Sequence, residues 1–232
     1  MKKDFVHLHL HSQYSLLDGA IKFDELFDEV KKQGMTSVAL TDHGNLFGAY
    51  EFYKNGKKKG IKPILGCEVY IAKDHKNKNP ENNKTHHLTV LCMNMEGYEN
   101  LCSLVSKGHL EGFYRKPRID RKMLFEKSSG LIVLSGCLNS EVCFNILKGK
   151  KDEAIKIASE YKNVLGDRYF IEIQGTLLRE QIRVNGTLRE IAKKLEIPVV
   201  ATNDCHYLTK DCFKSHDTLI CIQTNSLVKE EK

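Results

Sequence analysis

The 232-residue sequence is 41% hydrophobic and 28% charged, with a formal net charge of +6, which are ordinary proportions for one well-packed soluble domain. No run approaches the ~18 apolar residues of a spanning helix, and Met1-Lys2-Lys3-Asp4 leads into histidines instead of the apolar core of a secretion signal. The eight cysteines contain no C-x-x-C pair, so reduced thiols in a cytoplasm are expected.

In chain order, the first run is 5–11, where His7, His9 and His11 alternate with Val6, Leu8 and Leu10. Period two is a strand period, so the three imidazoles are expected on one polar-facing side and the aliphatic residues in a core. Six further apolar, β-branched-rich runs follow at 37–42, 63–72, 87–93, 131–136, 169–174 and 198–204. Helical patterns lie between them. Phe23, Leu26, Phe27 and Val30 obey the i, i+3, i+4, i+7 rule and stop at Gly34. Segments 49–59, 98–109, 141–148, 153–165 and 178–195 read the same way.

Strands alternating with helices imply a parallel sheet with right-handed crossovers. Seven such units in one chain of this size predict an α/β closed barrel in a single domain. No G-x-G-x-x-G or Walker loop argues for a nucleotide fold. The polar stretch 73–84 reads as a mobile loop, no internal repeat splits the chain, and the polar end beyond Ser226 has the look of a domain cut from a longer polypeptide. The basic charge gathers at 54–62, 73–84 and 115–122. It suits either a polyanionic partner or a lysine-rich solvated surface.

In barrels of this kind the C-terminal strand ends face the active site, and metal-binding residue types recur there. The first strand ends in His9 and His11, with Asp18 in the loop after it, and the second runs into Thr41-Asp42-His43-Gly44. Glu68 interrupts an apolar run, where a buried carboxylate is costly unless paired or coordinated. The fourth run opens at His86-His87, the fifth ends in Cys137, and the seventh ends Asn203-Asp204-Cys205-His206. Each residue alone has an ordinary structural explanation; their recurrence at six strand ends does not.

His9-Leu10-His11-Ser12, Thr41-Asp42-His43-Gly44, Glu68 and Asn203-Asp204-Cys205-His206 resemble the motifs of the PHP (polymerase and histidinol phosphatase) superfamily. Tyr14 to Gly19, Gly60 to Gly66, Glu111 to Asp120 and Leu134 to Leu138 are similar to its branch in the bacterial replicative DNA polymerase III α subunit. The resemblance spans nearly the whole chain, 1–232, which it implies is an N-terminal PHP domain. It implies a distorted (β/α)7 barrel holding two or three divalent metal ions. The family's ligand positions fall on His9, His11, Asp18, His43, Glu68, His87, Cys137, Asp204 and His206, with His86 adjacent to His87 and one register step away. Mixed imidazole, carboxylate and thiolate donors suit zinc, manganese or iron. Glu68, as a bridging carboxylate, Asp204 and His206 are the residues expected to carry the chemistry. Cys67 and Cys205 are expected to point away from the metals.

The resemblance implies a metal-dependent phosphoesterase acting on a DNA 3′ end, without polymerase chemistry in this chain. Two alternatives stand beside it. One is a metal-braced module docking onto other domains of the polymerase α subunit and the proofreading ε subunit; the other is a histidinol-phosphate-type phosphatase. No membrane partner is expected. Of the remaining histidines, His7 is expected one step deeper in the barrel, and His75, His109 and His216 at the surface. Arg115 and Arg118 are candidates for a substrate phosphate.

Overall fold

In the computed structural model, which describes residues 5–16, 18–80 and 84–228, the sheet strands are β1 (Ser37–Leu40), β2 (Lys62–Ala72), β3 (Thr85–Cys92), β4 (Arg118–Asp120), β5 (Leu131–Leu134), β6 (Tyr169–Gln174) and β7 (Val199–Thr202). The order is β1-β2-β3-β5-β6-β7, with β4 paired to the end of β2. The helices are α1 (Phe23–Lys32), α2 (Ala49–Lys59), α3 (Met95–Leu110), α4 (Arg121–Glu126), α5 (Glu141–Leu147), α6 (Lys151–Leu165), α7 (Arg179–Lys194) and α8 (Phe213–Thr224). None of the described helices is long and apolar enough to cross a membrane.

The sheet is mixed, which corrects the all-parallel expectation. β1–β2, β5–β6 and β6–β7 are parallel, whereas β3 runs antiparallel to both β2 and β5. The polar 73–84 stretch joins β2 directly to β3, and a connection without a crossover helix returns the chain in the opposite direction. Residues 81–83 of that loop, and 229–232 at the end of the chain, lie outside the described residues. Reversing β3 is what puts its beginning, at His87, at the same end of the sheet as the C-terminal ends of the parallel strands.

The 5–11 run closes the ring. Its His7 and Leu10 carbonyls accept from Ala39 and Thr41 N–H on one side, and His9 O and His11 N bond Cys205 on the other. The segment therefore joins the β1 side of the sheet to the chain just beyond β7, at Cys205. It does so without a regular ladder. From Ala39 to Thr41 is two residues, but from His7 to Leu10 is three, so one extra residue is inserted as a bulge.

That bulge corrects the strict alternation. Leu8 packs with Ala39, Leu91 and Leu134 inside the ring, while Leu10 packs outside with Phe23, Leu26 and Phe27 of α1. His7 consequently leaves the face of His9 and His11. Its ring lies against Phe5, and its Nδ1 is 3.4 Å from Cys205 Sγ.

Period two sorts the other strands. Cys67, Val69, Ile71, Val90, Val133 and Ile171 point outward into the main core beneath α3, α5, α6 and α7. Ile64, Leu91, Ile132, Phe170 and Val200 point inward and plug the ring. Next along the same faces stand Glu68, Thr89, Glu172 and Thr202, all buried. An apolar plug thus carries a polar layer, and on that layer the candidate site is built.

Candidate metal centre

Two carboxylates in the polar layer determine how the histidines stand. Glu172 accepts from Thr89 Oγ1 (3.2 Å), Thr202 Oγ1 (2.5 Å) and Gly136 N–H (3.1 Å), and its Oε1 is 2.6 Å from His9 Nδ1. A carboxylate only accepts, so His9 Nδ1 carries the proton and its Nε2 faces the cleft. On the other side Asp42, also buried, accepts from Ser12 N–H, Ser12 Oγ and Ser15 Oγ. The Ser15 hydroxyl donates its hydrogen bond to Asp42, so at 2.9 Å its oxygen accepts from His11 Nδ1. His11 Nε2 is thereby turned into the same cleft.

The converging atoms lack hydrogen bonds. His9 Nε2, His11 Nε2, Asp18 Oδ1, His43 Nδ1, Glu68 Oε2 and Asp204 Oδ1 are all buried without a well-formed hydrogen bond, although most of them crowd one another as ion pairs. Their separations are informative. Asp204 Oδ1 is 3.3 Å from His9 Nε2 and 3.2 Å from His11 Nε2; the Glu68 oxygens are 3.4 Å and 3.6 Å from the same two nitrogens. Tetrahedral ligands at ~2.0–2.1 Å from one ion stand about 3.3 Å apart. Polar atoms held at that spacing, buried and misaligned for mutual hydrogen bonds, fit a divalent cation between them.

Around this centre the structure brings together every predicted ligand. His43 reaches Glu68 through Nδ1 (2.6 Å) and Asp18 through Nε2 (3.2 Å). His87 Nδ1 is 3.0 Å from Glu68 Oε1, and Cys137 Sγ is 3.6 Å from the same oxygen and 3.7 Å from His87 Nδ1. The His206 ring stacks on His11 at 4.2 Å. At this centre three groups among the described residues have donor atoms close enough to share an ion, His9–His11–Asp204, His43–Glu68–His87 and His11–His43–His206; a fourth, Asp74–His75–Asp120, involves none of the predicted ligands. His86 turns away, with Nδ1 at 3.1 Å from Asn139 O. Cys67 donates to Asp42 O and Cys205 faces His7, so both thiols point elsewhere.

The electrostatics express a cation deficit. Burial alone would raise the Glu68 and Asp204 carboxyls, but the surrounding imidazoles hold both well below the usual carboxylate range. Burial also works against charge on His9 and His43. Asp204, Glu172 and Glu68 nevertheless hold His9 well above its ordinary value, and Asp18 and Glu68 push His43 up to about 10. His11 goes the other way, down to about 3, because burial dominates and its neighbours are themselves imidazoles. Burial, then Glu68 and Asp204, push the Cys137 thiol up. Metal ions would invert this pattern, replacing the protons on His9 and His43 and favouring the thiolate.

The residues at 7–176 match the model of the PHP domain. The chain belongs to the PHP domain family. The chain is 46% identical over 235 residues to the DNA polymerase III subunit alpha of Thermus aquaticus, covering 99% of this chain and 19% of that protein. It is 44% identical over 239 residues to that of Deinococcus radiodurans, covering 99% and 18%. The chain thus spans about a fifth of the length of the curated relatives it matches. In fold it is similar to a solved structure titled a metal-dependent phosphoesterase from Bifidobacterium adolescentis, with a TM-score of 0.56 at 15% identity and 90% of each chain covered. An amidohydrolase from Chromobacterium violaceum has a TM-score of 0.52 at 13% identity, covering 92% of this chain and 96% of its own. At such identities the likeness establishes the distorted barrel alone.

Several readings of single residues need correction. Arg118 is fully buried, giving Nε to Gly112 O (2.9 Å) and Nη2 to His75 O (3.0 Å), so it is a structural tie and cannot meet substrate. His75 is buried against Asp120 at 2.5 Å rather than being a surface residue. His109 is exposed, as expected, with its Nε2 2.9 Å from Gly44 O, and His216, half-buried, lies beside His206 and Tyr207. Sequence reasoning missed Glu172. It sits in the apolar 169–174 run as Glu68 sits in 63–72, so the cost of burying a carboxylate could have flagged it too.

Proposed function

We propose that this PHP domain is a metal-dependent phosphoesterase that hydrolyses a phosphodiester at a DNA 3′ end, and that it forms the N-terminal part of a replicative DNA polymerase α subunit. The observation carrying the reading is the set of buried donor atoms without well-formed hydrogen bonds from His9, His11, Asp18, His43, Glu68 and Asp204 at ligand-to-ligand spacing. Mixed nitrogen, oxygen and sulfur donors favour zinc, manganese or iron, and nine candidate ligands suit two or three ions with positions left open. Such ions would supply Lewis acidity toward a phosphoryl oxygen and lower the pKa of water.

The chain's own residues do the rest. Glu172 and Ser15 hold His9 and His11 with their Nε2 lone pairs in the cleft. Glu68, reached by His9, His11, His43 and His87, would hold the ions together with those imidazoles. Asp204 and His206, at the rim and partly open to solvent, are the groups best placed to meet substrate and move a proton. The polymerase relatives favour DNA over histidinol phosphate as the substrate class, and a cytoplasmic location goes with that role.

The test is release of nucleotides from a DNA 3′ end by wild type with manganese or zinc, beside a chelated control, Asp204→Asn and His11→Ala. Activity should fall about 100-fold or more in the variants and the control. Equal trace activity in all samples would mean a contaminating nuclease and defeat the reading. The share of the α-subunit relatives that the chain covers supports a second role, a metal-braced platform for the other polymerase domains and the ε subunit. In that case wild type is inactive, and the same substitutions chiefly lower the melting temperature.

A further inference from the structure

Beside the cleft the surface carries a row of rings that no core claims. Phe47, in the loop after β1, is 64% exposed, and Phe113, after α3, is 49% exposed. His109 sits between them, its ring centroid 6.4 Å from Phe47 and 6.3 Å from Phe113, stacked at 23° on the latter. Its Nε2 contact with Gly44 O ties the row to the residue following the candidate ligand His43. Single exposed aromatic residues are commonplace on protein surfaces, but three neighbouring rings, one pair of them near-parallel, offer planar groups a surface to stack on.

Cations continue the row towards the cleft. Tyr114 N–H bonds Lys116 O across a tight turn whose tip, Arg115, has φ 62° and is exposed. Lys116 is exposed too, yet its Nζ lies 4.4 Å over the ring of Tyr70. Tyr70 in turn is 5.2 Å from the His87 ring and 6.0 Å from His43. A positive charge therefore stands one ring away from the metal-ligand candidates, with the exposed rings behind it.

We infer that this rim, Phe47–His109–Phe113 followed by Arg115 and Lys116, seats a single strand of polynucleotide and leads its terminal phosphodiester into the cleft. Bases stacked on rings and phosphates met by flexible cations give the sequence-tolerant recognition of single strands. The exposed cations between the rings and the cleft suit a polyanionic chain. The seat is the substrate-binding side of the phosphoesterase reading and rests on it for the strand's direction, but it can be tested alone.

The test is anisotropy of a short 5′-fluorescent oligothymidylate with the 232-residue chain in chelator, where nothing is cut. Phe113→Ala should weaken binding by about fivefold or more. Phe113→Leu should do the same, since it keeps an apolar side chain but removes the ring. Lys116→Ala should reduce the slope of log affinity against log salt by about one. Lys58→Ala, in the last turn of α2, should match wild type. Wild type that does not bind, or Phe113 and Lys116 variants that bind as wild type does, would overturn the inference. Full binding by Phe113→Leu beside weak binding by Phe113→Ala would point to an apolar protein contact and overturn it as well. Turnover of a model phosphodiester by the metal-loaded wild type separates the two failures: turnover without rim effects leaves the phosphoesterase reading standing alone, and rim effects without turnover leave only the seat.

Discussion

Glu172 Oε1 lies 2.6 Å from His9 Nδ1, and both side chains are wholly sealed from solvent. A carboxylate in that position fixes the imidazole's tautomer and strengthens it as a ligand. Glu172→Gln should weaken metal binding about 10–100-fold, because its amide would oppose the donors Thr89, Thr202 and Gly136 N–H. Competition against a chromophoric chelator measures the loss. Unchanged affinity in a folded variant would remove Glu172 from the metal's support.

Glu68 touches imidazoles of all three ligand groups, whereas Asp18 touches only His43 among them. After growth with added metal, Glu68→Gln should lose more than one ion per chain and Asp18→Asn no more than one. Elemental analysis decides it. Equal losses would end the bridging assignment.

Cys137 is the sole thiol against Glu68 and His87 among the described residues. With cobalt in the site, a sulfur-to-metal charge-transfer band should appear in the near ultraviolet and vanish in Cys137→Ser. A band that survives the substitution would place the thiolate elsewhere or nowhere.

Metal binding should release protons. His43, pushed up to about 10, and His9, held well above its ordinary value, are protonated at neutral pH in the metal-free cleft and lose those protons on coordination. The Glu68 and Asp204 carboxyls are already ionised and release none. Apparent affinity should therefore rise with pH, about tenfold per unit for each proton displaced. Calorimetry at pH ~7 in two buffers of different ionisation heat counts them. A titration independent of the buffer would contradict the charge pattern.

Arg118 ties Gly112 and His75 together, and neither is among the nine ligand candidates. Arg118→Met strands the Gly112 and His75 carbonyls and should cost about 3 kcal/mol, lowering the melting temperature by roughly 6–12 °C while metal content is retained. A loss of metal in that variant would link the tie to the site.

The period-two runs made the 5–11 segment and every sheet strand but β4 legible, because alternation is set by burial on one face. Direction was not legible, since a strand reads alike both ways; only the missing helix between 63–72 and 87–93 hinted at the turn back. His7 was misplaced because a bulge leaves no mark in the alternation it interrupts. The ligand candidates were legible because His, Asp, Glu and Cys are conspicuous at strand ends. Their supports, Thr89, Thr202 and Ser15, were not, being ordinary residues until the fold brings carboxylates beside them. Arg118 was misread because a basic loop looks solvated, and β4 shows only once it pairs with β2.

The bulged segment that seals the ring also sets a schedule. His9 and His11 leave the ribosome first, but the residues that pin them, Cys205 with Asp204 and His206 on either side, come almost two hundred residues later. Until then the cleft has neither its second wall nor its full set of donors, and the nascent histidines have nothing to close against. Long-range closure of this kind is slow relative to local helix formation. The outer helices and the β2–β3 pair can form during synthesis, while metal capture has to wait for the chain's two distant segments to meet.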